Sequence, residues 1–560
     1  MIVNRFKENE KNRTSNFKGI VNKTRISHTV LSVAAALLIA GCGGDDSSPA
    51  VTNESTVISV DYAQSQGSLL RSEKYNNLHT TSVTVPQRAG DIAYLNSNGL
   101  HGAIYRVWLN SPNEAKVPPC VEDIDSVPAA NKPCTLNPPF ESYLSDADKA
   151  ADQILGNLRL NGAPTFMSDG GPDAAVANIE RILLAIKKAH PKLTYIEGWN
   201  EPDEPGTKIK PTEVYPYYAS VYKAVNNVNK QLAAVSNSYK PIKVGGPAFY
   251  YFNKSWFSAF FDGYAADTNP DKKLDFISYH AYVDVDNDGK IKRLSTKPRF
   301  VAGQRAELEN MLRARGISTN IPSYVTETGI YPGPSCDMCD RTDYARGAAG
   351  VASLHYWFAN ESNTYPFNWL TRQRQGGLKD QFVTKNPVGP YANATYQQLW
   401  QSYDPVPTNT FTPFGNMLLM KSMMKGNRVS AGSNRLSDEG IGVYAMAAED
   451  STGASMMVWN YQGCKPSEGA TPTMVCPSTA YPSTISATNL PSSIRYKKVR
   501  ERVFAVDQKN SNYFTDPSRA KLQEISNKSI YLGDSYKSNL VIEPNGIYLI
   551  LLESVDGSAS

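Results

Sequence analysis

Apolar residues in the middle of the chain recur with two alternating periods. Behind Asp173, a candidate helix cap, Val176, Ile179, Leu183 and Ile186 recur at helical spacing. A short apolar run that is typical of a buried strand follows from residue 193 to 199, and the same order of helix and strand is repeated up to residue 327. This alternation predicts a (β/α)8 TIM barrel over residues 57–410, whose first strand the pattern does not locate.

The pattern changes near residue 410, after a last helix-like run at residues 414–425. Short strands separated by Gly, Asn, Pro and Ser follow at Gly440 to Met446, Ala454 to Tyr461, Arg495 to Val506 and Gly546 to Leu552. Strands without intervening helices predict a C-terminal antiparallel β-sandwich, residues 411–560. The run Val57-Ile58-Ser59-Val60 is a candidate for a further strand of this sandwich.

Residues 1–41 have the pattern of a bacterial signal peptide. Lys and Arg precede an apolar run, residues 30–40, that is too short to span a bilayer. The run ends in Leu38-Ile39-Ala40-Gly41-Cys42, which resembles a lipobox, so Cys42 is the predicted lipidation site and residues 42–56 a flexible tether. We expect a protein lipid-anchored in the bacterial cell envelope. Because Asp does not follow Cys42, we expect the outer membrane, facing the periplasm or the cell surface.

Charge excludes one class of partner. The formal net charge is +4, but residues 1–41 contain seven Lys or Arg and two Glu, a net of +5, so the remainder carries −1. Without a basic excess there is no electrostatic basis for binding nucleic acid. The only membrane contact that the sequence predicts is the N-terminal lipid anchor.

The six cysteines other than Cys42 form three pairs of near neighbours in an exported chain. An oxidising compartment and an even number favour local disulfides. Cys-x-x-Cys at residues 336–339 could also be a redox or zinc pair, but no second such motif accompanies it. Asp284 to Gly289 begins like a calcium loop, yet its twelfth position is Ser295 instead of Glu. We therefore predict no metal, no cofactor, and the disulfides Cys120–Cys134, Cys336–Cys339 and Cys464–Cys476.

Two glutamates stand at the ends of predicted barrel strands. Glu201 lies in Gly198-Trp199-Asn200-Glu201-Pro202, and Glu327 lies in Tyr324-Val325-Thr326-Glu327-Thr328-Gly329. Barrels of this kind perform chemistry at the carboxyl ends of their strands. Cleavage of a glycosidic bond needs one acid to protonate the leaving oxygen and one carboxylate at the anomeric carbon. Glu201 and Glu327 suit these roles, and Asn200 can bind a sugar hydroxyl beside the reacting carbon.

At these residues the chain resembles the clan A glycoside hydrolases, and among them most of all family 39. In that family Asn-Glu-Pro ends the fourth strand, His-x-Tyr the sixth and the nucleophile Glu the seventh. The resemblance implies that Tyr282 donates to the nucleophile Glu327, that His280 lines the reacting subsite and that Trp369 is a sugar platform. Arg106-Val107-Trp108 stands where the family has Arg-x-His, so the contacts of Arg106 and Trp108 with the innermost sugar are expected to differ.

The expected function is that of a retaining glycoside hydrolase. Its substrate would be a polysaccharide or an oligosaccharide, a bacterial exopolysaccharide among the candidates, cleaved by double displacement. Two alternatives remain open from the sequence. A non-catalytic glycan-binding lipoprotein could retain the same cleft, and a transglycosylase could use the same two carboxylates.

Overall fold

The computed structural model describes residues 55–78, 85–109, 118–123, 132–158, 171–204, 207, 209–283, 297–330, 344–372, 380–383, 385–387, 403–405, 409–463, 465–466, 474–475 and 477–555. The predicted signal peptide, Cys42, almost all of the tether and the loop from Asp284 to Ser295 lie outside them. So do Cys336, Cys339, Cys464 and Cys476. Within the described residues, no helix combines the length and the apolarity needed to cross a membrane.

The strands, numbered in chain order, are β1 (Thr56–Ser68), β2 (Tyr75–Asn77), β3 (Gly102–Trp108), β4 (Ala151–Leu158), β5 (Leu193–Gly198), β6 (Lys243–Phe249), β7 (Phe276–Tyr282), β8 (Ser323–Gly329), β9 (Thr364–Asn368), β10 (Lys385–Pro387), β11 (Tyr403–Pro405), β12 (Asn427–Ser433), β13 (Gly442–Asp450), β14 (Gly453–Tyr461), β15 (Lys465–Pro466), β16 (Met474–Val475), β17 (Tyr481–Thr488), β18 (Lys498–Val506), β19 (Gln523–Tyr531), β20 (Tyr536–Ile542) and β21 (Ile547–Ser554).

The α-helices of the described residues are α1 (Val85–Ser97), α2 (Pro138–Ala150), α3 (Gly171–Ala189), α4 (Pro211–Val235), α5 (Lys254–Ala266), α6 (Pro298–Ala302), α7 (Arg305–Arg313), α8 (Tyr344–Phe358) and α9 (Pro413–Ser422). The predicted apolar face of α3 is buried, with Ile179, Leu183 and Ile186 inaccessible to solvent. Burial of this stripe, rather than helix propensity alone, holds such a helix on its sheet.

Strands β2 to β9 form a closed parallel barrel, as the sequence predicts. The first barrel strand, β2, has only three residues, which is too short to show a hydrophobic period. It closes the barrel by pairing with β3 and, through Asn76, with Asn368 of β9. Helices intervene between successive strands from β2 to β9, as parallel pairing requires.

Alternate residues of the barrel strands fill its interior in layers. One layer is apolar and aromatic, formed by Ile104, Leu155, Tyr195, Phe276, Tyr324 and Phe367. Residues two positions further along the same strands share the same face. There the side chains are buried but polar, namely Arg106, Asn157, Glu197, Ser278 and Thr326. The interior therefore becomes polar toward the carboxyl ends of the strands, where a barrel places its site.

The remaining long strands form a nine-stranded sheet in the order β19-β18-β21-β14-β13-β12-β1-β17-β20. All pairs are antiparallel except β1 with β17. Residues from both ends of this order, including Tyr536 of β20 and Val499 of β18, share one apolar cluster. The predicted TIM barrel with a C-terminal β-sandwich is confirmed, and the candidate strand around Val57 lies within the sandwich as β1.

Smaller features complete the described chain. Short antiparallel pairs join β10 to β11 and β15 to β16. Cys120 and Cys134 form a disulfide with a Cα–Cα distance of 5.0 Å, which confirms one predicted pairing. Residues Ser55–Ser560 form a single unit by contact density, so the barrel and the sheet share one body.

Candidate active site

The predicted site residues meet at the carboxyl ends of the barrel strands. Arg106 lies in β3, His280 and Tyr282 in β7, and Glu327 in β8, while Glu201 follows the end of β5. The ladder between β7 and β8 shifts after Tyr279, so that His280 pairs with Glu327. Residues separated by more than 200 positions in sequence thus share one mouth, because parallel strands all end at the same edge.

The two glutamates lie close enough to act on one bond. One carboxylate oxygen of Glu201 and one of Glu327 lie within 4.8 Å of each other, with a ring nitrogen of His280 equally close. The side chain of Glu327 is 6% exposed, whereas that of Glu201 is 15% exposed. Glu201 is the more accessible of the pair from the cleft.

Both oxygens of Glu327 accept hydrogen bonds. Arg106 Nη1 donates to Oε1 at 2.8 Å, and the Tyr282 hydroxyl donates to Oε2 at 2.5 Å. Burial raises the pKa of Tyr282 well above its ordinary value, and the nearby Glu327 charge adds to this effect. Tyr282 therefore keeps its proton, and Glu327 is held as an oriented acceptor.

His280 bridges the two carboxyl groups. Its Nδ1 lies 2.7 Å from Glu201 Oε1 and 3.6 Å from Glu327 Oε2. Burial lowers the pKa of His280 to about 4 against the opposing charge of Glu327, so the ring is neutral at pH 7. Its Nε2 is buried without a hydrogen-bond partner among the described residues. A buried N–H without an acceptor is rare in proteins, so the ring proton belongs on Nδ1, which donates to Glu201.

His280 is thus placed between Glu201 and Glu327. The imidazole is 1% exposed, and its Nδ1 contacts Glu201. Because Nδ1–H occupies Glu201 Oε1, a proton carried by Glu201 would reside on Oε2.

Arg106 is the most connected side chain of the site. Besides Glu327, its guanidinium donates to Glu197 Oε2 from Nε at 2.7 Å and to Asn200 Oδ1 from Nη2 at 2.6 Å. Asn77 Oδ1 accepts from Nη1 at 3.2 Å. With its oxygen engaged, Asn200 has its amide NH2 as the donor available to a sugar hydroxyl.

The turn that carries Asn200 and Glu201 has an unusual backbone. Trp199 has φ 101° and Glu201 has φ 49°, in the left-handed region that non-glycine residues rarely adopt. The Glu201 amide donates to Ala248 O at 2.8 Å, and Asn157 Nδ2 donates to Trp199 O at 2.6 Å. Such conformations persist where surrounding contacts over-determine them, as these hydrogen bonds do.

Four aromatic residues surround the mouth. Trp108 ends β3, Tyr250 follows β6, Tyr282 ends β7 and Trp369 follows β9. Tyr250, Tyr282 and Trp369 belong to one buried cluster, against which Trp108 packs. The rings of Trp108 and Trp369 meet edge to face, with 6.4 Å between their centroids. The guanidinium carbon of Arg106 lies 4.8 Å from the centroid of the Trp108 ring. Of the four rings, Trp108 is half-buried and the other three are buried.

Sequence reasoning missed several residues that the fold brings to the site. Asn77, Asn157 and Glu197 contact Arg106 or its partners from β2, β4 and β5. Asp203, just after Glu201, accepts hydrogen bonds from the Tyr250 amide at 2.7 Å and from Asn253 Nδ2 at 3.1 Å. Burial raises the pKa of Asp203 to about 7 in spite of these bonds. A polar residue inside an apolar strand was the one available signal for Glu197.

Glu201, His280 and Glu327 also have the spacing of metal ligands. However, both oxygens of Glu327 are engaged by Arg106 and Tyr282, and a fixed guanidinium beside the group repels a cation. The arrangement suits an acid and a nucleophile better than a metal centre.

Comparison with known proteins agrees with this chemistry. Residues 163–297, which contain Asn200, Glu201 and His280, match the family model described as glycosyl hydrolase catalytic core. The predicted resemblance to glycoside hydrolases is thereby confirmed. No curated protein matches the sequence.

Solved structures with the same architecture span nearly the whole chain. A glucosidase from Croceicoccus marinus is 15% identical, with a TM-score of 0.59, and the match covers 90% of this chain and 100% of that one. The glycoside hydrolase family 39 enzyme of Xanthomonas axonopodis pv. citri is 14% identical, with a TM-score of 0.60 and coverage of 91% and 100%. A β-xylosidase from Caulobacter crescentus CB15 is 13% identical, with a TM-score of 0.57 and coverage of 89% and 99%. These likenesses establish the fold.

Proposed function

We propose that the protein is a retaining glycosidase in which Glu327 is the nucleophile and Glu201 the acid/base. The observation that carries this proposal is the separation of Glu201 and Glu327, whose nearest oxygens lie within 4.8 Å. Retaining enzymes hold their carboxyl groups about 5 to 5.5 Å apart, whereas inverting enzymes leave about 6.5 to 9.5 Å for a water molecule. The short separation favours direct attack by a carboxylate.

The hydrogen bonds support this division of labour. Glu327 accepts from a cation on one oxygen and from a hydroxyl on the other, and these two hydrogen bonds hold the carboxylate in one orientation for attack. Glu201 accepts from the neutral His280, and its side chain is more exposed than that of Glu327. A proton on Glu201 Oε2 can pass to the leaving oxygen, and the resulting carboxylate can then activate water.

The substrate class is proposed from the cleft and from the similar structures. The latter include a glucosidase and a β-xylosidase. The aromatic residues at the mouth, with Asn200 beside the acid, suit a sugar ring that stacks on one face and has a hydroxyl on its edge that accepts from the Asn200 amide. We propose a polysaccharide or an oligosaccharide, with bacterial exopolysaccharides among the candidates, cleaved through a glycosyl-enzyme intermediate.

The test compares the two carboxylates on activated substrates. The 2,4-dinitrophenyl glycosides of a panel that includes glucose and xylose need little protonation of the leaving group. Glu327→Ala should lose turnover by at least about 10⁴-fold, because no covalent intermediate can form. Glu201→Ala should still be glycosylated by these substrates, and added azide should release a glycosyl azide of retained configuration. Glu204→Ala, which removes an exposed carboxylate from the same turn, is the matched control and should behave like the wild type.

Other outcomes identify the alternatives. Equal loss of activity in both catalytic variants, or a product of inverted configuration, would contradict the proposed roles. Binding of glycans without cleavage of any panel member would favour a non-catalytic lipoprotein. Products longer than the starting oligosaccharide, formed at the expense of hydrolysis, would identify a transglycosylase.

A further inference from the structure

A third glutamate, Glu197, lies beneath the two that react. It is fully buried in β5, four residues before Glu201. Its Oε2 accepts from Arg106 Nε and from Asn157 Nδ2, both at 2.7 Å. Burial alone would raise the pKa of Glu197, but the Arg106 charge and the hydrogen bond from Asn157 outweigh it, and the pKa is lowered. Glu197 therefore faces Arg106 as a buried carboxylate inside the barrel.

Glu197 is connected to both catalytic carboxyl groups. Through Arg106 it reaches Glu327, because the same guanidinium donates to Glu197 from Nε and to Glu327 from Nη1. Through Asn157 it is connected to the turn that carries Glu201, because the Asn157 amide donates both to Glu197 and to the Trp199 carbonyl. Trp199 is part of the left-handed turn that presents Glu201.

Resting on the proposed roles of Glu201 and Glu327, we infer that Glu197 is a positioning residue of the reaction. It shares the charge of Arg106 with Glu327 and anchors, through Asn157, the turn that carries Glu201. A guanidinium paired with two carboxylates neutralises neither completely. Glu327 thereby keeps the electron density that attack on an anomeric carbon requires.

The charged and titratable groups around the Arg106–Glu327 pair come from the neighbouring elements. Glu197 comes from β5, Glu201 from the turn after it, and His280 and Tyr282 from β7. Tyr250, after β6, also faces the carboxylates, which add to the effect of burial in raising its pKa. Among these groups, Glu197 and Glu327 are the two carboxylates whose oxygens accept directly from Arg106.

The decisive variant is Glu197→Gln, which keeps the shape of the side chain and removes its charge. Among Glu197 and Glu327, only Glu327 then remains as a negatively charged acceptor of Arg106, and the guanidinium stabilises its anion more strongly. On the dinitrophenyl glycoside that the wild type cleaves fastest, kcat/KM should fall roughly 10- to 100-fold. The acid limb of its pH profile, which reports ionisation of groups in the free enzyme, should move to lower pH by about one unit.

Two further variants separate charge from packing. Glu197→Asp keeps the charge, so its acid limb should remain at the wild-type pH even though the shorter side chain slows the reaction. Asp146→Asn removes a carboxylate from another buried pair, that of Arg88 Nε with Asp146 Oδ2 at 2.9 Å between α1 and α2. It should lower stability and leave the pH profile unchanged. The inference would be overturned if the acid limb of Glu197→Gln stayed at the wild-type pH, or if Asp146→Asn shifted it equally.

Should Glu197→Gln fail to fold, Asn157→Leu tests the same connection. In this variant the acid limb is expected to shift in the opposite direction. Without the Asn157 amide, Glu197 binds Arg106 more strongly and weakens its hold on Glu327, so the acid limb should move to higher pH. A limb that stays in place or moves to lower pH would refute the idea. Turnover retained in Glu327→Ala would instead defeat the proposed function itself, so the two failures can be told apart.

Discussion

At the scale of single residues, burial decides the charge state of His280. The ring touches both carboxyl groups, where a positive charge would be attractive, yet burial lowers its pKa to about 4. Removing an ion from water costs more than the neighbouring Glu327 charge returns. His280 therefore contributes a directed hydrogen bond to Glu201 rather than a charge.

We expect His280 to make the protein less stable in acid. The unfolded chain takes up a proton on this residue below its ordinary pKa of 6.5, whereas the folded chain does so only near pH 4. The stability of the folded state is thus unaffected by this group above pH 6.5 and falls as the pH decreases toward 4, by roughly 3 kcal/mol. His280→Asn should abolish this contribution, because its amide can replace the Nδ1 donor and does not titrate.

Urea unfolding of both proteins at pH 7 and at pH 4.5 measures the effect. The free energy of unfolding should decrease less between these pH values for His280→Asn than for the wild type. An equal decrease in both proteins would mean that other groups account for the acid sensitivity.

At the scale of elements, two neighbouring turns at the mouth are joined by one carboxyl group. Asp203 follows β5 and accepts from the Tyr250 amide, which follows β6, while its other oxygen accepts from Asn253 at the start of α5. The Glu201 amide makes a parallel connection to Ala248 O. The acid and the Tyr250 ring therefore belong to one cross-linked unit rather than to two independent loops.

Removing the acceptor should loosen the turn after β6. In Asp203→Ala the Tyr250 amide loses its buried acceptor, a change that costs about 1 to 3 kcal/mol locally. Hydrogen exchange measured by mass spectrometry on peptides covering residues 248–253 should become faster by at least about fivefold. Asp203→Asn keeps an acceptor at Oδ1 and is the matched control. Equal protection in the Ala variant and the wild type would show that Asp203 does not hold this turn.

The burial of each strand explains whether the sequence could predict it. β13, β14, β18 and β21 lie inside the sheet and carry apolar runs that the sequence analysis detected. The outer strands β19 and β20 were missed, since most of their side chains are exposed or only half-buried. An edge strand is held mainly by its backbone ladder, which leaves little hydrophobic period in the sequence.

At the scale of the whole molecule, the sheet supports a helix of the barrel. Trp459 of β14 donates to Ser353 of α8 at 2.9 Å and stacks on Tyr444 at 4.8 Å between ring centroids. Trp357 of α8 donates to the Tyr444 hydroxyl at 3.0 Å. One apolar core continues from the barrel into these residues. The sheet thus stabilises the helix that connects β8, with Glu327, to β9.

We propose that the molecule is attached to a membrane through Cys42, which lies outside the described residues. The lipobox-like sequence and the polar residues that follow it support this proposal. Cys42→Ser removes the thiol that would accept the lipid, so the variant should leave the membrane fraction and lose the mass of the lipid. Enzyme assays of the two fractions and mass spectrometry of the N-terminus measure this. A Ser variant that stays in the membrane fraction with an unchanged N-terminal mass would contradict the anchor.

The sequence by itself determined the barrel, the sheet and the positions of Glu201 and Glu327. Periodicity reports which side of an element is buried, and a parallel barrel brings every strand end to one mouth, so strand-end residues can be assigned to the site without coordinates. The order of the motifs also indicated the resemblance to glycoside hydrolases, including Arg106, His280 and Tyr282.

Only the tertiary structure decided how these residues are connected. Arg106 meets Glu197 across 91 positions and Glu327 across 221, and no local pattern reports such distances. Glu197 lies inside a buried strand, where an unpaired carboxylate would be too costly to ionise, and it is tolerated because a cation from β3 and an amide from β4 reach it. Periodicity records burial along one element, whereas the charge of a buried group depends on partners that other elements supply.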